Sequence, residues 1–486
     1  MPSQQPPRPD IRNIVLILAD QHRADCLGCY GNPVVQTPHI DRLAARGVRF
    51  TQAHTVAAIC TPARASIQTG LAPRNHGLIF NWEFWKFRGG QWNLPPETRC
   101  FSQDLADAGL ALGHFGKWHV GDRNQPADYG YQGPYYPGYG YPSTHPHYLA
   151  WLKGLGLDGF ILKDQVYDPA GKQLYYATQV GPTEASIPYY LAEQAIGHIR
   201  RESAVGRPFF TSCNFWGPHA PYRIPDPHLH MYDSSDIRPW KNFHADLSQK
   251  PYMIQRQGQV FCTDWFDDRA LSDFIAKEYG YITLIDQQVG RIVEALRQCG
   301  QLEHTLIIYT ADHGSALGSY RMWDKGFGMY DCLWRIPLIV SHPALVPATS
   351  DAFISLLDLA PTFCDAVGAV VRSELDGSSL MPLLRGRPAD LVRPQRSAIQ
   401  ADHVIAEAYG HQIPFWQRMI RTRAAKYIYN PTDRDEFYDL QADPDEMHNL
   451  IDSVDRLTLR QMRETLWKHI DATADPVRGL ARRALI

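Results

Sequence analysis

Two short apolar runs end in nearly the same way, and that repetition limits what this chain can fold into. Residues 13–18 read NIVLIL and lead into Ala19-Asp20-Gln21-His22; residues 306–310 read LIIYT and lead into Ala311-Asp312-His313-Gly314. Short, predominantly apolar runs of this length read as strands covered on both faces, as in a parallel sheet. Residues 209–215 (FFTSCNF) and 337–340 (PLIV) read the same way. Helical patterns lie between them at 40–46, 102–108 and 281–298, the last with Ile282, Ile285, Val289, Ile292, Val293 and Leu296 on one stripe. Alternation of this kind predicts a doubly wound α/β domain with a mostly parallel sheet between helices.

Other stretches break the alternation. Residues 129–148 are rich in Tyr, Gly and Pro, which suits neither helix nor central strand and reads as a long inserted loop. A second irregular stretch covers 221–268. After Leu384, GRPADLVRPQR reads as a linker. Short alternating segments at 418–422 and 426–430, then a polar helix, predict a smaller C-terminal α+β subdomain with an antiparallel sheet. The expected division is 1–390 for the catalytic domain and 391–486 for the subdomain.

At 486 residues the chain has room for a large core and a second unit. A net charge of -3 gives no reason to expect nucleic acid or an anionic membrane as partner. No run is long and apolar enough to span a bilayer, and residues 1–10 lack the apolar stretch of a signal peptide, so the expected location is cytoplasmic. Nine scattered cysteines suggest no disulfide framework, and Cys26 and Cys29 form a lone Cys-x-x-Cys without a second pair.

In an open α/β sheet, ligands gather at the carboxyl ends of the strands. An Asp placed directly after a buried strand is costly without a partner. Asp20 and Asp312 on one sheet edge could share a divalent cation, with Gln21 and His313 as further ligands; singly, each Asp could be an ordinary helix N-cap. A third element is Cys60, followed by Thr61 and Pro62 as helix-start residues and Gly70 as a stop. At a helix start, free N–H groups favour an anion, and Arg64, one turn in, can return a guanidinium to the same spot.

Cys60-x-Pro62-x-Arg64 resembles the signature of the formylglycine-dependent sulfatases of the alkaline phosphatase superfamily. Gly113-His114-Phe115-Gly116-Lys117-Trp118-His119-Val120-Gly121 resembles the second signature of that family. The likeness continues through Phe215 to Tyr222, Trp323-Asp324-Lys325-Gly326, Arg335 to Ile339, and Phe437-Tyr438-Asp439-Leu440. It implies an alkaline phosphatase-like fold and cleavage of a sulfate monoester to alcohol and sulfate. The nucleophile it implies is a hydrated formylglycine made from Cys60, which also completes the metal shell. Asp20, Gln21, Asp312 and His313 are the implied protein ligands of one divalent metal, calcium first and manganese as the alternative. Arg64, Lys117, His119, His219 and Lys325 are implied around the transferring group, with His119 as base for the second half-reaction and His219 or Lys325 as the acid on the leaving alcohol.

The pairs Asp20-Gln21 and Asp312-His313 depart from the commoner Asp-Asp and Asp-Asn. They resemble choline sulfatases, some glycosaminoglycan sulfatases and phosphonate monoester hydrolases. A phosphonate monoester or phosphodiester hydrolase is therefore the second reading; such enzymes tend to carry Tyr and Thr where Lys117 and His119 stand here. The implied partners are a small sulfate ester, including a sulfated saccharide, and a formylglycine-generating or anaerobic maturase enzyme; a homo-oligomer is compatible. The Tyr-rich loop and the Trp82 and Trp85 cluster either pack an insertion onto the domain or stack on a sugar or quaternary ammonium.

Overall fold

A computed structural model of the chain describes residues 10–81, 83, 91–136, 142–261, 263–325, 327–387, 391–393, 397–411 and 413–485. Trp82 and Trp85 lie outside the described residues, as do 137–141 of the Tyr-rich stretch.

The main sheet is built from β1 (Asn13–Asp20), β2 (Gly47–Phe50), β3 (Ala111–Gly116), β4 (Phe209–Pro218), β5 (Thr305–Ala311), β6 (Leu338–Ser341) and β7 (Ala348–Ser350). Their spatial order is β7-β2-β6-β5-β1-β4-β3. The central strand β1 pairs in parallel with β4 and β5, and β3 pairs in parallel with β4. β6 departs from expectation: it runs antiparallel to both β5 and β2, with Leu338 opposite Thr310 and Ser341 opposite Ile307. Among the described residues, the connection from β5 to β6 forms only two short helical turns, Ser319–Arg321 and Asp331–Trp334. A parallel return needs a crossover element packed on the sheet. Without one, the chain re-enters the sheet at the edge it left.

Helices cover both faces. They include α1 (Pro38–Ala45), α2 (Cys60–Thr69), α3 (Phe101–Asp107), α4 (Ile187–Ala204), α5 (Asp268–Gln298) and α6 (Leu359–Val367). Neighbouring residues of β4 point to opposite faces, as the strand repeat requires. Phe209 meets His198 of α4, whereas Phe210 meets Phe101 of α3 and Phe363 of α6. Each such buried ring contributes about 1.5–3 kcal/mol by leaving water. The apolar stripe read at 281–298 is the second half of α5, which begins at Asp268, where Asp267 caps it by accepting from the Ala270 N–H.

The C-terminal region forms an antiparallel sheet of β8 (His403–His411), β9 (Ile413–Thr422), β10 (Ala425–Tyr429) and β11 (Glu436–Asp439). Two helices follow rather than one, α7 (Arg456–Ala472) and α8 (Arg478–Leu485). Period-two alternation splits this sheet. Ile405, Ile420, Tyr427 and Phe437 pack on Met462, Leu466 and Leu485 of those helices. Ala406, Met419, Ile428 and Tyr438 pack instead on Tyr320, Tyr330, Leu333 and Trp334 of the large unit. Among the described residues no helix is long and apolar enough to cross a membrane. Eight described cysteines are free thiols.

One buried acid on α5 sets a pH dependence. The Tyr222 hydroxyl donates to Glu278 Oε2 at 2.6 Å, and Oε1 finds no partner among the described residues. Burial pushes the Glu278 carboxyl up to about 8 from its ordinary 4.5. The folded state thus holds this proton more tightly than the unfolded chain. The associated stability is full below 4.5 and is lost as pH rises through about 8. Glu278→Gln, which cannot ionise, should therefore raise Tm by about 2–4 °C near pH 8.5 and change little near pH 4. Thermal melts at the two pH values check this; equal shifts at both would refute it.

Candidate active site

The register of the main sheet brings the two aspartates together. Ala19 of β1 lies opposite Ala311 of β5, so Asp20 and Asp312 leave adjacent strands at one level. Gln21 takes a left-handed backbone (φ 62°), which turns the chain sharply after Asp20. Its backbone N–H then donates to Asp312 Oδ1 at 3.0 Å, and the His313 N–H donates to the same oxygen at 2.9 Å. Thr55, just before α2, donates its hydroxyl to the Asp312 carbonyl at 2.6 Å.

Helix α2 supplies the third element. Every one of its residues is buried, from Cys60 to Thr69, and it ends at Gly70 with φ 68°. Ile59 at its N-cap is extended and caps nothing with its side chain. The Asn81 side chain instead accepts from the Thr61 N–H at 2.9 Å. Cys60 therefore occupies the first helical turn, in the field of the positive end of the helix.

Asp20, Cys60, Asp312 and His313 each present one donor atom, and these four atoms lie within 4.8 Å of one another. His313 Nε2 is 3.3 Å from Cys60 Sγ. Its Nδ1 is 2.8 Å from the Gly314 carbonyl, the arrangement in which Nδ1 carries the proton and Nε2 turns its lone pair to the cluster. Two carboxylates and such an imidazole, all fully buried, are a donor set that fits a divalent cation. Gln21 stands beside this cluster with its amide oxygen 2.8 Å from Lys325 Nζ.

Cations ring the cluster. Lys117 Nζ contacts Asp20 Oδ2 and lies 3.4 Å from Cys60 Sγ. Arg64 donates from Nε to Asp312 Oδ2 at 2.8 Å and from Nη1 to the Lys117 carbonyl at 3.0 Å. Lys325 Nζ lies 2.5 Å from His219 Nε2. Burial alone would favour protonated Asp20, but Lys117, His219, Arg64 and Lys325 outweigh it and hold the carboxyl well below the usual range. Burial and Asp20 push the Cys60 thiol the other way, up to about 12, so the encoded residue is a neutral thiol at pH 7. Burial drives His119 down to about 4 and His219 down to about 3.

The structure thus gathers all the residues singled out in the sequence: Asp20, Gln21, Cys60, Arg64, Lys117, His219, Asp312, His313 and Lys325 around one point, with His119 alongside Lys117. Three neighbours escaped the sequence reading. Glu83 faces His119 Nε2, with Oε1 at 2.9 Å and Oε2 at 3.1 Å. Asp324 lies against Lys325, and His411 reaches Asp324 from β8. Asp324 was in view within Trp323-Asp324-Lys325; nothing in the sequence ties His411 to it.

A parallel-centred sheet between helix layers, with a buried carboxylate, imidazole and thiol cluster at its strand ends and cations around it, defines an alkaline phosphatase-like hydrolase of anionic esters. The chain belongs to the sulfatase family, whose profile matches residues 12–369, and it is a sulfuric ester hydrolase. A second profile, N-sulphoglucosamine sulphohydrolase C-terminal, matches 318–474. The arylsulfatase of Clostridium perfringens is 28% identical over 485 residues, covering 94% of each chain. The N-acetylglucosamine-6-O-sulfatase of Bacteroides thetaiotaomicron is 28% identical over 491 residues, covering 90% of this chain and 82% of that one. Among solved structures, the phosphonate monoester hydrolase of Agrobacterium radiobacter superposes with a TM-score of 0.73 at 25% identity, covering 98% of this chain and 96% of that one.

Proposed function

We propose that this sulfatase attacks its ester with a hydrated formylglycine made from Cys60. The observation that carries the reading is Cys60 Sγ, 3.4 Å from Lys117 Nζ and 3.3 Å from His313 Nε2, at the start of a wholly buried helix. As a neutral buried thiol Cys60 is a poor nucleophile. Conversion breaks the Cβ–S bond, releases the sulfur as sulfide and leaves an aldehyde, a net two-electron oxidation for which a formylglycine-generating or anaerobic maturase enzyme supplies the oxidant. Asp20, Asp312, His313 and Gln21 would hold the divalent cation, calcium first and manganese as the alternative. Such a cation, when bound, favours the ionised diol and polarises the ester oxygens.

The chain's own residues do the rest. Lys117, Arg64 and Lys325 present fixed positive charge where the sulfuryl oxygens gather negative charge, in a site largely closed to water. His219, low in proton affinity and joined to Lys325, pairs with it to deliver a proton to the leaving alcohol. His119, held by Glu83, takes a proton from the diol in the second half-reaction. Residues 1–390 form the catalytic domain in this reading, and 391–486 a subdomain that packs against it. The substrate is a small sulfate ester or short sulfated saccharide, in keeping with the named activity of the Bacteroides relative. Free cysteines suit a reducing, cytoplasmic setting.

Lys117 and His119 favour a sulfate monoester over a phosphonate monoester or phosphodiester, because two more basic groups meet the transferring oxygens. The test is a panel of the three ester classes on protein whose Cys60 peptide shows formylglycine by mass spectrometry. Sulfate monoesters should lead in kcat/KM by at least about tenfold. A lead for the phosphonate or phosphodiester substrates would reverse the assignment.

A further inference from the structure

The geometry points to Asp324, backed by His411 from the C-terminal sheet, as the positioning residue that aims Lys325 at the leaving-group oxygen. This inference rests on the sulfate-ester reading and goes beyond it, because it gives the C-terminal sheet a part in the chemical step.

Lys325 needs such a device. Its ammonium sits at the end of four rotatable bonds, and holding a lysine side chain in one rotamer costs conformational entropy. Acceptors around Nζ among the described residues include His219 Nε2 at 2.5 Å, Gln21 Oε1 at 2.8 Å and Asp324 Oδ1 at 3.2 Å. Gln21 is a proposed metal ligand beside the cluster, and His219 belongs to the proposed proton-delivering pair. Of these three, Asp324 brings a formal negative charge from outside both. Lys325 is wholly buried, whereas Asp324 is 21% exposed, so the carboxylate lies on the open side of the pair.

Asp324 is itself fixed. The Ala316 N–H donates to its carbonyl at 3.0 Å, which holds the backbone of the loop. On the side-chain face, His411 Nε2 lies 3.6 Å from Oδ2, leaving Oδ1 for Lys325. His411 is the last residue of β8 and is buried. A strand of the C-terminal sheet therefore ends against the carboxylate that steers the catalytic lysine. As the sulfur–oxygen bond breaks, its electron pair stays on the alcohol oxygen, and that oxygen takes the proton from the His219–Lys325 pair. A misaimed Lys325 weakens this transfer while leaving sulfate binding by Lys117 and Arg64 in place.

Leaving-group dependence separates positioning from mere support. An alkyl sulfate needs the proton as its bond breaks; 4-nitrophenyl sulfate releases a stable anion and needs little. On protein with confirmed formylglycine, Asp324→Asn should lower kcat on a primary alkyl sulfate by about 10–100-fold and on 4-nitrophenyl sulfate by only about threefold. His411→Asn, which leaves the Asp324 loop intact, should give a weaker form of the same split, and Asp324→Glu should restore part of the alkyl activity. Lys325→Ala, which also removes charge from the sulfuryl oxygens, should lower kcat on both esters and lower it further on the alkyl sulfate, and adding Asp324→Asn to it should cost nothing more. Equal losses on both esters, or full additivity in the double variant, would overturn the assignment of Asp324. If the unsubstituted protein hydrolyses neither ester, the sulfate-ester reading itself fails, which is a separate outcome.

Discussion

Cys60→Ala lowers kcat for sulfate ester hydrolysis by at least about 10⁴-fold, the scale of losing a nucleophile that acts with its neighbours as a unit. The expectation follows from where Cys60 sits. It opens α2 in the positive field of the helix end, with Lys117 and His313 both within 3.4 Å of its sulfur. No other described side chain shares that position. The unmodified protein should be nearly as inactive as the alanine variant, because a thiol pushed up to about 12 offers little thiolate at neutral pH. Steady-state rates on one aryl sulfate, compared for modified, unmodified and alanine protein, check both statements. An alanine variant retaining activity within tenfold of the modified protein would remove Cys60 from the mechanism.

Asp312→Ala should abolish retention of the divalent metal and lower kcat by at least about 10³-fold, beyond the 10–100-fold typical of groups that merely support a ligand. On the proposed metal reading, Asp312 does more than offer an oxygen. Its Oδ1 accepts from the backbone of Gln21 and His313, and its Oδ2 accepts from Arg64. Alanine leaves a buried guanidinium facing Asp20 at 3.9 Å as its remaining carboxylate, and it frees the turn that shapes Gln21. Asp312→Asn keeps an acceptor and loses the charge, so it should hold the fold better while still losing metal. Metal content per chain after dialysis, measured by mass spectrometry, reads the first effect and kcat the second. Stoichiometric metal with wild-type turnover in the alanine variant would sink the assignment.

Legibility in the sequence followed burial. β1 and β5 are buried at every position and mostly apolar because both faces are covered, and their shared ending announced the site. Cys60 and Arg64 were readable because a helix start and a helical turn fix their relation locally. The direction of β6 was not, because PLIV reads alike in either direction and only the missing crossover helix decides it. β2 and β3 escaped notice, since GVRF carries an arginine and ALGHFG two glycines and a histidine. α5 began earlier than its cleanest stripe. The C-terminal sheet was half visible: β9 and β10 alternate plainly, while β8 was lost among polar neighbours. Glu83 and His411 are joined to the site only by tertiary contact, from segments far apart in the chain, and although Asp324 adjoins Lys325, nothing local pairs its carboxylate with that ammonium. No local period encodes such a meeting.

The complete burial of α2 has a consequence for how the active protein is made. On the formylglycine reading, Cys60 must enter the pocket of a modifying enzyme, yet in the finished fold its sulfur lies behind Asp20, His313 and Lys117, and the residue has no exposed surface. Conversion therefore belongs to the interval before the chain closes around it. The yield of competent protein is set by a race during synthesis, between the enzyme that oxidises the segment and the collapse that hides it. A chain that folds first is sealed in its inert form for as long as it stays folded.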